Sequence, residues 1–185
     1  MTGNELLREA KSKFVTGHPK EAIELFTKVE EEGYSPVTVY LGRGAAFLSI
    51  GEVDKSIDDF NKVLAIDHAN ERAYYYRGIA HLKKNEFNEA VDDLTTSISF
   101  NHDRGAAFFA RGLANAELDR TDESLRDMKT AITFSNKEVD SFANLYGETR
   151  THFGKSMALL EGERGPWSIV MNEGEVDKLK KWIEP

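Results

Sequence analysis

The sequence predicts an all-α fold, a solenoid of antiparallel helix pairs, and three observations carry that prediction. First, an Arg-Gly-x-Ala pattern occurs at Arg43-Gly44-Ala46, Arg77-Gly78-Ala80 and Arg111-Gly112-Ala114, a spacing of 34 residues twice over. A fixed period of that length marks a repeat architecture in which each unit is one supersecondary element. Second, Asp59, Asp93 and Asp127 keep the same period, and small residues fall in two columns, Gly44/Gly78/Gly112 and Ser56/Ala90/Ser124. Small residues at matching positions let two antiparallel helices approach closely at their crossing. Third, Gly51, Asn85 and Asp119 share one column. Gly, Asn and Asp carry the smallest steric penalty for the left-handed residue that ends a helix, so this column marks a tight turn between two helices.

The period divides the chain into units at 37–70, 71–104 and 105–138, each a helix, a turn and a second helix. A further unit upstream, 3–36, places Ala10, Gly17, Ala22 and Phe26 in the expected columns. Beyond 138 the pattern decays: Val139, Phe142, Tyr146, Phe153, Met157 and Leu160 keep a rough helical period, but Tyr146 replaces the small crossing residue. We expect 139–161 to be a C-terminal capping helix that covers the last apolar face of the stack. The alternative is a degenerate fifth pair broken near Gly154, with Ala158 in its small-residue column. The GERGP stretch at 162–166 is expected to end helical structure, because a residue before proline is pushed out of the helical region. The tail, 162–185, carries Trp167, Ile169, Val170 and Met171, then a short helical pattern near 173–183 with Val176, Leu179, Trp182 and Ile183 on roughly one side.

Stretches such as NERAYYYRGIAHLKKNEFNEAVDDLTTSISF, with two helices in 34 residues, resemble the tetratricopeptide repeat (TPR) family. The resemblance covers four repeats and implies a right-handed α-solenoid of antiparallel helix pairs. Two columns depart from the family pattern. His68, His102 and Asn136 stand where a proline commonly closes the repeat, and Arg43, Arg77 and Arg111 stand where leucine is usual.

The resemblance also implies binding on a concave face built mainly by the first helix of each pair. Carried over position by position, the expected partner-binding set is Lys11, Phe14, Leu41, Ala45, Leu48, Arg72, Tyr75, Tyr76, Ile79, Phe109, Leu113 and Asn144. Leu41, Tyr75, Tyr76, Ile79, Phe109 and Leu113 would form a contiguous apolar patch if open, and large open patches usually mean a partner. The competing reading is that some of them are helix-packing residues. A clamp for the acidic C-terminus of heat-shock chaperones, one known use of the fold, is not expected. Its charged and asparagine columns here read Leu7, Lys11, Gly42, Arg72 and Tyr76. An apolar segment or helix of a protein or peptide partner suits these residues better.

The arginine column (Arg43, Arg77, Arg111) and the aspartate column (Asp59, Asp93, Asp127) lie sixteen residues apart on the two helices of each unit. They could form a row of cationic ligand sites. We favour a structural ladder of Arg–Asp bridges, within or between repeats, because paired ions can be satisfied in a core and lone ones there are costly.

Composition narrows the function classes. With 185 residues, 40% hydrophobic and 30% charged, the chain fits one folded domain or one short run of repeats. The net charge of -8 argues against nucleic-acid binding at large, while leaving room for a local basic patch. No window approaches the roughly 18 uninterrupted apolar residues of a membrane span, and no apolar stretch follows a basic start, so we expect a cytoplasmic protein. The lack of cysteine excludes thiolate chemistry and disulfides.

Catalytic signals are weak. Phe153-Gly154-Lys155-Ser156 matches the end of a phosphate-binding loop, but the required earlier glycine is Thr149. The histidines, His18, His68, His81, His102 and His152, include no helix-spaced pair suited to a metal. Asp58-Asp59 and Asp92-Asp93 read as one solvated residue beside one bridge partner. The expectation is a non-catalytic adaptor or scaffold without a cofactor. The alternatives are a structural subunit that self-associates through its tail, as in a homodimer, or through its convex face, and a regulatory subunit of an enzyme.

Overall fold

The computed structural model describes residues 2–133. Among them are eight helices in order: α1 (Gly3–Val15), α2 (Pro19–Glu31), α3 (Pro36–Ser49), α4 (Val53–Ile66), α5 (Glu71–Lys83), α6 (Phe87–Phe100), α7 (Gly105–Glu117) and α8 (Thr121–Ile132). The readings made for 139–161 and 162–185, including the capping helix, the tail and Asn144, lie outside the described residues.

Local chemistry sets the helix boundaries. Thr2 caps α1 reciprocally with Glu5, each side chain meeting the other residue's backbone N–H. Pro19 and Pro36 open α2 and α3, where a missing N–H costs nothing. The Asn70 side chain accepts from the Ala73 N–H at the start of α5. Between the helices of each pair stands one residue with positive φ: Gly17 (81°), Gly51 (81°), Asn85 (62°) and Asp119 (56°). That conformation turns the chain sharply enough for the second helix to fold back along the first.

Close crossing explains the glycine column. A Cβ on Gly44 would lie 2.6 Å from the Phe60 ring, and one on Gly78 would lie 2.8 Å from Leu94. At Gly112 the fit is looser, 3.2 Å from Met128, and the Ser124 hydroxyl donates to the Gly112 carbonyl across the crossing at 2.7 Å. In these three pairs the first helix therefore meets its second helix nearly backbone to backbone.

Every helix packs on the next in sequence, and first helices also touch successive first helices: α1 with α3, α3 with α5, α5 with α7. Contacts between successive second helices are weaker. The first helices therefore form the tighter, inner row of a helical solenoid and the second helices its outer row. The core runs along the interior in two clusters. Leu7, Ala10, Ala22, Phe26, Val29 and Val39 close the N-terminal end, and a larger cluster extends from Leu48 and Phe60 to Met128 and Ala131.

Candidate functional site

The inner positions of the first helices do not present one uniform surface. On α1, Arg8 and Lys11 are exposed, Val15 is 84% exposed, and Phe14 is half-buried against the N-terminal cluster. On α3, Leu41 is half-buried while Ala45 and Leu48 are buried. On α5, Arg72 is exposed and Tyr76 half-buried, while Tyr75 and Ile79 are buried. On α7, Ala106, Phe109, Ala110, Leu113 and Ala116 are all buried.

This corrects the expectation of an open apolar patch. Tyr75, Ile79, Phe109 and Leu113 belong to the core cluster, together with Leu48, and Ala45 is buried as well. A first helix in the middle of the stack has neighbours on several sides, so its inner-row side chains pack against other helices instead of facing solvent. Tyr75 is further shielded by the Arg104 guanidinium, 4.7 Å from its ring centroid and ion-paired with Glu71. Leu41 and Tyr76 keep partial exposure at the edge of the same cluster, and the Tyr76 ring stacks on Phe60 at 5.7 Å.

The part of the face that stays accessible is basic and apolar and is spread over α1, α3 and α5: Arg8, Lys11, Phe14, Leu41, Arg72 and Tyr76. A cavity of about 460 Å³ borders α1 at Asn4, Glu5, Leu7, Arg8 and Lys11. Deeper in, the Lys83 amine donates to the Leu48 carbonyl of the preceding repeat at 3.2 Å. Burial pushes its pKa below the ordinary lysine value.

The arginine column forms bidentate pairs within each helix pair. Arg43 Nε donates to Asp59 Oδ2 at 2.7 Å and Nη2 to Oδ1 at 2.9 Å. Arg77 binds Asp93 in the same way at 2.7 Å twice, and Arg111 binds Asp127 at 2.9 and 2.7 Å. The remaining Nη1 of each arginine reaches back to the preceding repeat: to Thr27 (3.2 Å), Asn61 (2.6 Å) and Thr95 (3.0 Å). These acceptors lie sixteen residues upstream of their arginines, as the aspartates lie sixteen downstream. An aromatic residue three positions before each arginine covers its guanidinium: Tyr40, Tyr74 and Phe108, at 5.7, 5.6 and 5.6 Å from the ring centroid.

Each rung thus joins three helices and is satisfied on every side. The hydrogen bonds of Asp59 and Asp93 hold Arg43 and Arg77 above the ordinary arginine pKa. The first rung carries an extra ion pair, Arg43 with Glu30, and that guanidinium holds the Glu30 carboxyl below the usual carboxylate range. Sequence reasoning missed the upstream acceptors and the aromatic covers. Both follow the 34-residue period and could have been found by following that column through the repeats.

Comparison with known proteins gives two kinds of likeness. Residues 44–85 match the family model described as TPR repeat. A crystal structure of MamA is 20% identical, with a TM-score of 0.64, covering 95% of this chain and 90% of that one. MamA 41-end from Desulfovibrio magneticus RS-1 is 18% identical, with a TM-score of 0.66 and coverage of 89% and 99%. TTC0263, a thermophilic TPR protein in Thermus thermophilus, is 17% identical, with a TM-score of 0.65 and coverage of 98% and 99%. At these identities the structures share the fold. None of the curated proteins matches the sequence.

Proposed function

Because this chain is a tetratricopeptide-repeat protein, we propose that it is a non-catalytic interaction module that holds an apolar segment or helix of a protein partner on its inner face. The division into repeats at 3–36, 37–70, 71–104 and 105–138 and a cytoplasmic location belong to the same reading. Among the described residues no helix is long and apolar enough to cross a membrane.

The observation that carries the proposal is the uneven exposure of the inner row. Phe14, Leu41 and Tyr76 offer apolar edges that the core does not fully absorb, and Lys11 and Arg72 stand beside them in the same row. An amphipathic helix would place its apolar side on the three edges and meet the cations with its polar flank. Stacked repeats supply extended binding surfaces of this kind through their curvature.

Photo-crosslinking tests the reading. A benzophenone amino acid at position 11 or 14 is expected to trap a protein adduct that the same probe at exposed Ser99 on α6 does not. Adducts from Ser99 alone, or an adduct at position 11 that survives Leu41→Glu with Tyr76→Glu, would contradict it.

A further inference from the structure

The outer furrow between the third and fourth helix pairs differs in charge from the furrow before it. It is a groove of about 570 Å³, floored by Phe108, Arg111 and Asn115 of α7 and walled by residues of α6 and α8, among them Glu123 and Arg126, and by Arg120 just before α8. Arg111 and Asp127 are spent on each other, and Asn115 adds a donor to Asp127 at 3.3 Å. Arg120 has one Nη bonded to Asn88 at 2.8 Å, and Arg126 has no ion-pair or side-chain hydrogen-bond partner among the described residues. Both are exposed.

The repeat supplies an internal control. Positions 34 and 68 residues before Arg120 hold Glu86 and Glu52, and the same positions before Arg126 hold Asp92 and Asp58. Two columns that are acidic in the earlier pairs become cationic in this one. In the furrow one repeat earlier, the matching residues are His81, Glu86 and Asp92, with Glu86 bonded to His81 at 2.7 Å. The fold needs neither sign at these exposed positions, since the ladder and the glycine crossings are made by other residues. The reversal has a chemical consequence. In a chain of net charge -8, this furrow presents two exposed guanidinium groups, with the Glu123 carboxylate as the one exposed acid lining it among the described residues. Arginine is suited to forked hydrogen bonds with carboxylates.

We infer that the outer groove between α6 and α8 binds an acidic peptide segment of a protein partner. Carboxylates of the segment pair with Arg120 and Arg126, and an apolar side chain between them rests on Val91. This site lies on the opposite side of the stack from the inner face and is independent of the reading given for it.

The test uses the full chain and a fluorescent twelve-residue peptide alternating glutamate and leucine pairs, with its glutamine counterpart as control. The glutamate peptide is expected to bind, to weaken as salt is raised, and to lose about tenfold or more in affinity in Arg120→Glu with Arg126→Asp. That variant restores the acidic character of the columns, so it is expected to fold. Should it not, Arg120→Gln with Arg126→Gln reads the same loss. Lys20→Glu with Lys28→Glu, exposed on α2 and outside both surfaces, is expected to leave binding within about twofold, which separates this groove from surface charge at large. Equal binding by the reversed variant, equal binding of the glutamine peptide, or an equal loss in the α2 variant would overturn the inference. So would displacement of the peptide by millimolar phosphate with no salt-matched effect of chloride, which would make the groove a phosphate site, or peptide binding only when the chain self-associates.

Discussion

Helices α1 and α7 hold the same place in their repeats and differ in nearly everything that their inner positions do. On α1 only Leu7 and Ala10 are buried, and the inner row is basic and open. On α7 ten of thirteen residues are buried, and the inner row is Ala106, Phe109, Ala110, Leu113 and Ala116. The contrast teaches that in a stack a column's surroundings depend on its place along the axis as well as on its place in the repeat. Among the described helices α1 packs on α2 and α3, whereas α7 packs on α5, α6 and α8 and its small residues admit close neighbours.

The comparison can be broken most sharply by deleting one ring at each end. Phe109→Ala is expected to cost about 3–5 kcal/mol, because it empties a fully buried site that the surrounding helices cannot collapse around. Phe14→Ala, at a half-buried site, is expected to cost only about 1 kcal/mol. Urea unfolding followed by circular dichroism measures both, and equal losses would remove the difference between the two helices.

A smaller effect distinguishes the rungs that tie the ends together. Arg43→Leu leaves the Asp59 carboxylate, whose side chain is 3% exposed, without its bidentate partner and is expected to cost about 3 kcal/mol. Adding Asp59→Leu is expected to recover at least about 1 kcal/mol of that loss, a coupling typical of residues in one network. Additive losses would mean that the rung is not a unit. At the more exposed rung, Arg77 with Asp93, the same cycle is expected to give a smaller coupling.

The smallest effect is on the acid side of the stability profile. Arg43 holds the Glu30 carboxyl below its ordinary value. Its stabilisation is therefore complete above the unfolded carboxylate pKa of about 4.3 and is lost as pH falls through the depressed folded value. Glu30→Gln is expected to lower the melting temperature at pH 7 and to approach the parent as pH drops below about 4. A constant difference across that range would place the effect elsewhere.

Much of the fold was legible because a repeat states its own geometry several times. The column Gly51, Asn85 and Asp119 identifies left-handed turns by residue type alone, and three glycines at one spacing mark helix crossings too tight for a side chain. The candidate site was less legible. Tyr75 and Phe109 have the chemistry of binding residues, and a sequence does not say whether a neighbouring helix already uses it. Both belong to a core cluster that runs through several repeats, which the helical period of a single repeat does not encode. The Thr27, Asn61 and Thr95 acceptors were overlooked for a different reason: they vary in residue type while keeping their place, so a search for identical residues passes over them.

The central structural claim is that the inner row is open at α1 and closed at α7, and thiol labelling tests it most directly because the chain contains no cysteine. Lys11→Cys and Ala110→Cys each introduce one thiol at an inner position, and the rate of reaction with a maleimide reports its access to solvent. The account predicts that the thiol at 11 reacts as fast as a free cysteine in the unfolded chain, while that at 110 reacts about a hundredfold more slowly or only on unfolding. Equal rates at the two positions in the folded protein would contradict it.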